Sequence, residues 1–297
     1  MSTAQNPPLA IAFMLSATAF IAATTLLAKA LGTDTLGAPL NAFQISNGRY
    51  IFALIALLIF AAITRPKIIA PKVKLHVARA LFGWLGVTLM FAAASKIPLS
   101  DATTISFLNP VFAMILAIPL LGEKVGPVRW SAAVIALVGA LVLLRPGAGS
   151  LQIGALLALG SAAILGTEII VLKHLSKGEG VFQILLFSNA IGTVLSLGPA
   201  AWVFTPPTPH QWAALVAIGL IMASAQVCFV NALKRADASF IVPFSYATLL
   251  FATLYDALIF RTLPDTISVL GAAIIIAGAA LLAWREGRIK ASSDSRS

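Results

Sequence analysis

The sequence predicts an all-α integral membrane protein of ten transmembrane helices, built as two inverted five-helix repeats with both termini cytoplasmic. Three observations predict it: ten apolar stretches, basic residues gathered on one side of them, and a matched pattern at the ends of two halves. Of the 297 residues, 60% are hydrophobic and 10% charged, too little polar material to cover a water-soluble domain of that length. A hydrocarbon core of about 30 Å needs a helix of about 20 apolar residues. The expected crossings are 9–31, 42–63, 76–96, 100–121, 127–145, 152–173, 181–203, 211–233, 238–260 and 266–284.

Charge orients these crossings. With the N-terminus inside, the inner segments hold 15 of the 20 basic residues, from Arg65, Lys67, Lys72, Lys74 and Arg79 to Lys290 and Arg296. Lys29, Lys96, Arg145 and Arg261 fall at outer loops or helix ends, and Arg49 inside the membrane. This is the positive-inside rule. The inner face takes the whole net charge of +10. That charge is therefore a topology signal facing anionic lipid, and no nucleic-acid partner is expected. The N-terminal stretch is too long and lacks the basic flank of a signal peptide, so it is expected to remain as the first helix. The polar tail, 287–297, is expected to be disordered.

The halves, 1–148 and 149–286, carry matching ends. Ser131–Arg145 reads SAAVIALVGALVLLR and Gly271–Arg285 reads GAAIIIAGAALLAWR. Asp101 opens the fourth crossing and Asp237 the ninth, and each crossing then carries a mid-helix proline, Pro110 and Pro243. An odd number of crossings per half turns the second upside down, a geometry shared by many secondary transporters.

On Pro110, Leu121-Gly122-Glu123 and Arg145-Pro146-Gly147, the chain resembles the drug/metabolite transporter superfamily, in particular its EamA-like ten-helix exporters. The second half departs at Phe260-Arg261-Thr262-Leu263-Pro264, so Glu123 has no duplicate there. The resemblance implies a central cavity and secondary transport, commonly export of amino acids or related metabolites, across a bacterial inner membrane.

Ionisable groups inside a bilayer are expensive and need a reason. Lys29 reads as a snorkelling lysine near a helix end. Asp101 and Asp237 read as first-turn acids. Three residues resist such readings and stand as coupling or gating candidates: Arg49, Asp256 and Glu168. Arg49 and Asp256 lie at similar depth in the outer half, where they suit a structural pair, a substrate contact or interfacial snorkelling. Glu168 lies beyond the midplane and is not expected to reach them. Asp256 and Glu168, as the acids well inside, are the candidates for proton coupling.

Pro110 and Pro243 free backbone carbonyls in matched helices, and such carbonyls persist where they line a cavity or find neighbours. Ser106 and Asn109 accompany the first proline, Ser245, Tyr246 and Thr253 the second. With Asn47 and Trp84 they complete the substrate-cavity candidates, packing being the competing role. His76, His174 and His210 lie at membrane boundaries, away from any serine partner or metal set. Cys228 is alone. No phosphate-binding G-x-x-x-x-G-K-[ST] run is present. No catalytic residue, metal or cofactor is expected, and a monomer fits the sequence. The expected function is alternating-access export of small amphiphilic metabolites, amino acids first. The alternatives are an exchanger of phosphorylated sugars or other metabolites on the same fold, and a lipid-modifying membrane enzyme.

Overall fold

The computed structural model describes residues 7–106, 152–176, 178–235, 247–261, 263–274 and 276–278, with scattered positions between 108 and 142 and residue 281. Its long helices are α1 (Pro7–Leu31), α2 (Ala42–Thr64), α3 (Val73–Ala94), α5 (Ile153–Ser176), α6 (Val181–Trp202) and α7 (Pro209–Arg235). All six are long and apolar enough to cross a membrane. The fourth expected crossing is described over α4 (Leu99–Ser106). The ninth is described as α8 (Ala247–Tyr255) running into a π-turn, Asp256–Phe260, and the tenth as α9 (Thr266–Gly278). Pro110, Glu123, Arg145, Asp237, Pro243, Ser245, Tyr246 and the tail 287–297 lie outside the described residues.

Local chemistry sets the helix ends. Asn41 caps α2, its side-chain oxygen accepting from the Phe43 amide at 3.0 Å, as an N-cap asparagine does. Arg65 ends the same helix in the left-handed region (φ 44°), its amide bonding Ala61 O. Pro209 opens α7, where a missing N–H costs nothing.

The packing has a simple order. Helix α1 packs on α7, and α5 packs on α3; α2 packs on α7, and α6 on α3; α1 packs on α8, and α5 on α4. Each second contact is the first with the halves exchanged (α1 for α5, α2 for α6, α3 for α7, α4 for α8). The α2–α6 contact maps onto itself. Glycines permit the closest approaches. A Cβ at Gly219 of α7 would meet the Ala53 amide of α2 at 2.8 Å, and one at Gly192 of α6 would meet the Tyr50 ring at 2.4 Å.

Large apolar side chains such as Ile63, Val194, Leu250 and Leu258 point outward, while Arg49, Asn47, Thr88, Ser161 and Asp256 are buried. In water that distribution would be inside out; in lipid it satisfies both surfaces. The end carrying the α1–α2 turn is called here the turn end. The opposite end carries the 65–72 segment, the strap end.

Candidate functional site

Helices α2, α3, α5 and α6 bring a charged cluster together in the interior. Arg79 Nη2 of α3 lies 3.3 Å from Glu168 Oε1 of α5, and Arg79 also donates to Ser188 Oγ of α6. The absent side chain of Gly83, one turn from Arg79, makes room: both the Glu168 carboxylate and the Tyr50 hydroxyl lie 3.5 Å from where its Cβ would be. The Arg49 guanidinium sits over the Tyr50 ring, 4.0 Å from its centroid. The Tyr50 hydroxyl thus stands in the field of Arg49, Glu168 and Arg79 together. Tyr50 itself is held against α6 by Gly192.

One sequence expectation changes here. Glu168, expected to be out of reach of Arg49, makes no ion pair with it and pairs with Arg79. Arg79 was counted with the inner face; α3 begins at Val73, so Arg79 falls in its second turn and is buried. A search for opposite charges at matched depth from the same end would have joined Arg79 to Glu168. Tyr50 left no comparable signal.

The expected Arg49–Asp256 pair does not form. Asp256 Oδ1 instead takes Lys29 Nζ at 2.5 Å, and its Oδ2 accepts the Leu99 amide at 2.5 Å. Lys29 is therefore buried and paired, not snorkelling, and its ammonium also lies 4.3 Å from the Phe260 ring centroid. The reason is tertiary: α1 packs against α8, and the π-turn starts at Asp256. π-turns re-aim side chains and recur at functional positions. Asp256 so ties α1, α8 and the first turn of α4 at the turn end. Asp101 is in that first turn, as expected, and accepts from Ser268 Oγ at 3.1 Å.

The strap end has its own polar tie. Glu179, before α6, accepts from the Lys72 amide at 2.8 Å, from Gln183 Nε2 at 2.6 Å, and sits 2.7 Å from His76 Nε2. Gln183 exchanges two hydrogen bonds with the Ile69 backbone. Burial pushes the Glu179 carboxyl up, but the hydrogen bonds from Lys72, His76 and Gln183 outweigh it and hold it below the usual range. Composition alone did not reveal this tie.

The remaining candidates divide. Asn47 donates to Ser196 Oγ at 2.8 Å, an α2–α6 tie. Trp84 lies against Phe43, with ring centroids 6.1 Å apart, and its Nε1 is buried without a partner. Ser106 Oγ bonds back to Thr103 O at 2.6 Å. Asn109 is half-buried. Thr253 borders a largely apolar groove of about 580 Å³ between α4, α8 and α9, with Asp101, Thr104 and Ser268. The charged cluster lies elsewhere, on the second, third, sixth and seventh crossings. Among the described residues no group of three or more metal ligands occurs.

A bundle apolar outside and charged at its centre, with two halves packed alike, is a multi-pass membrane protein built around a polar interior site. The sequence matches the EamA-like transporter family twice, over 8–145 and 152–284, and the chain belongs to that family. It is 27% identical over 252 residues to an S-adenosylmethionine uptake transporter of Rickettsia bellii, covering 84% of this chain and 87% of the relative. It is 31% identical over 212 residues to a riboflavin transporter of Vibrio cholerae, covering 70% of each. The pseudopaline exporter CntI of Pseudomonas aeruginosa is 24% identical over 207 residues, 69% of this chain and 72% of the relative. One solved crystal structure shares the fold with a TM-score of 0.61 at 23% identity, over 91% of this chain and 97% of that one. The protein is a transporter, not an enzyme, and its relatives carry small metabolites.

Proposed function

We propose that the protein is a secondary-active exporter of small amphiphilic metabolites, amino acids above all, in the bacterial cytoplasmic membrane. It works by alternating access of two inverted five-helix repeats, with both termini cytoplasmic. The observation that carries this reading is the Arg49–Tyr50–Arg79–Glu168 cluster, built by α2 and α3 of the first half and α5 and α6 of the second. A site shared by two halves is remade when one half rocks against the other. The exchange symmetry of the helix contacts supports the inverted arrangement.

The ends supply the barriers. In this scheme the Lys29–Asp256–Leu99 tie is the barrier at the turn end. Lys173 follows Lys29 by 144 residues, the offset at which the family matches begin, 8 and 152. Glu123 follows Pro110 by 13 residues, as Asp256 follows Pro243. Lys173 and Glu123 are the sequence counterparts for the opposite end, and their side chains lie outside the described residues. Glu168, in contact with a movable cation, is the proton-coupling group of this scheme.

Counterflow of radiolabelled amino acids in liposomes containing the purified protein tests the reading. Saturable exchange accelerated by internal unlabelled substrate is the expected result. Flux of phosphorylated sugars instead would move the protein to the exchanger class, and the cluster would then need further cations for the phosphate charge.

A further inference from the structure

We infer that Arg49 is an anion-binding group, and that the cargo presents it with a carboxylate. This rests on the transport reading and names the chemistry its substrate must bring.

Arg49 lies seven residues into α2, about 10 Å from the helix start at 1.5 Å per residue. It is 3% exposed, so it does not snorkel to the interface. Among the described residues its guanidinium has no carboxylate partner; it rests on the Tyr50 ring, and its Nε has no acceptor. The other buried basic side chains of the described spans, one toward each end, are matched. Lys29 has Asp256, and Arg79 has Glu168. Of Lys29, Arg49 and Arg79, Arg49 alone has no carboxylate at ion-pair distance among the described residues. An uncompensated ion in the hydrocarbon region costs several kcal/mol and marks an ion or substrate pathway.

Two further buried atoms on α3 have the same sense. Arg79 Nε and Trp84 Nε1 are also buried donors without acceptors. An unpaired guanidinium calls for an acceptor-only group, and a carboxylate matches its planar fork of donors.

The test pairs carboxylate probes with their neutral amides. Purified protein in detergent is melted at constant ionic strength with acetate, benzoate or N-acetyl-phenylalanine, and with the amide of each. At least one carboxylate should raise Tm by a few degrees at a concentration well above its Kd, while its amide leaves Tm unchanged. The shift should vanish in Arg49→Gln and persist weakened in Arg49→Lys. Glu168→Gln removes a negative neighbour and should tighten carboxylate binding several-fold. Equal stabilisation by the amides, stabilisation by none of the three carboxylates, or a full shift in Arg49→Gln overturns the inference. If Arg49→Gln does not fold, unchanged or weaker binding in Glu168→Gln overturns it. Carboxylate binding through Arg49 without amino-acid flux in liposomes would leave this inference standing and remove the amino-acid reading alone.

Discussion

Lys29 and Asp256, 227 residues apart, meet as a buried ion pair at 2.5 Å, and the same carboxylate receives the Leu99 amide at the start of α4. One acid thereby joins three helices at one end of the bundle. Because neither ion is exposed to water, removing one partner leaves the other as an isolated buried charge.

Single replacement of either member is expected to destabilise strongly. Lys29→Met and Asp256→Leu should each cost about 3–5 kcal/mol, while the double variant should cost clearly less, since it leaves no unpaired ion. Reversible unfolding in mixed micelles measures this. Additive losses in the double variant would show that the two residues act independently.

Proton coupling separates the two buried acids. In liposomes with an imposed pH gradient, Glu168→Gln should abolish the response of transport to the gradient. Asp256→Asn should slow transport yet keep the response, because Asp256 serves the tie at the turn end. The reverse pattern would transfer the coupling role to Asp256.

The α2–α7 contact tolerates no added carbon. Gly219→Ala places a Cβ 2.4 Å from Phe52 Cβ and 2.8 Å from the Ala53 amide, and backbone cannot move aside as a side-chain tip can. A loss of about 1–3 kcal/mol is expected. Gly198→Ala meets nothing within 4 Å and should be neutral or slightly stabilising through helix propensity. Thermal melts of the two variants side by side make the comparison.

At the strap end, pH and Glu179 are linked. A carboxyl held below its ordinary value of 4.5 contributes stability that is fully present above that value. This contribution drains away as pH falls through the lowered one. The Ile69 and Lys72 amides should therefore keep their hydrogen-exchange protection from neutral pH down through 5, and lose it only in stronger acid. Glu179→Gln should lower that protection at neutral pH by roughly tenfold, for loss of one buried charge-assisted acceptor, and flatten the acid transition. A variant with wild-type protection would remove Glu179 from the tie.

The helices were legible because their signal is local. The expected 42–63 and 181–203 crossings end within a residue of α2 and α6; each is a run of apolar residues bounded by a cap, and nothing distant alters it. The site was legible only in part. Arg49, Glu168 and Asp256 stood out because charge at membrane depth is costly, but their partners did not. The depth of Arg49 and Asp256 suggested a pair. Lys29 won because α1, not α2, packs on α8. Arg79 was misplaced by one turn of helix, and Tyr50, uncharged and aromatic, looked like any core residue.

What the sequence by itself determined is therefore one-dimensional: the six long apolar segments, that Arg49 and Asp256 lie buried within the bundle, and that the pattern recurs once. Depth follows from counting residues along a helix axis. Which charge faces which was decided by the tertiary structure, because azimuth and neighbour depend on how helices far apart in the chain pack. Glycines at positions 83, 192 and 219 let those helices close. The packing of α1 on α8 gave Asp256 to Lys29, that of α5 on α3 gave Glu168 to Arg79, and Arg49 was left over Tyr50 with no carboxylate among the described residues.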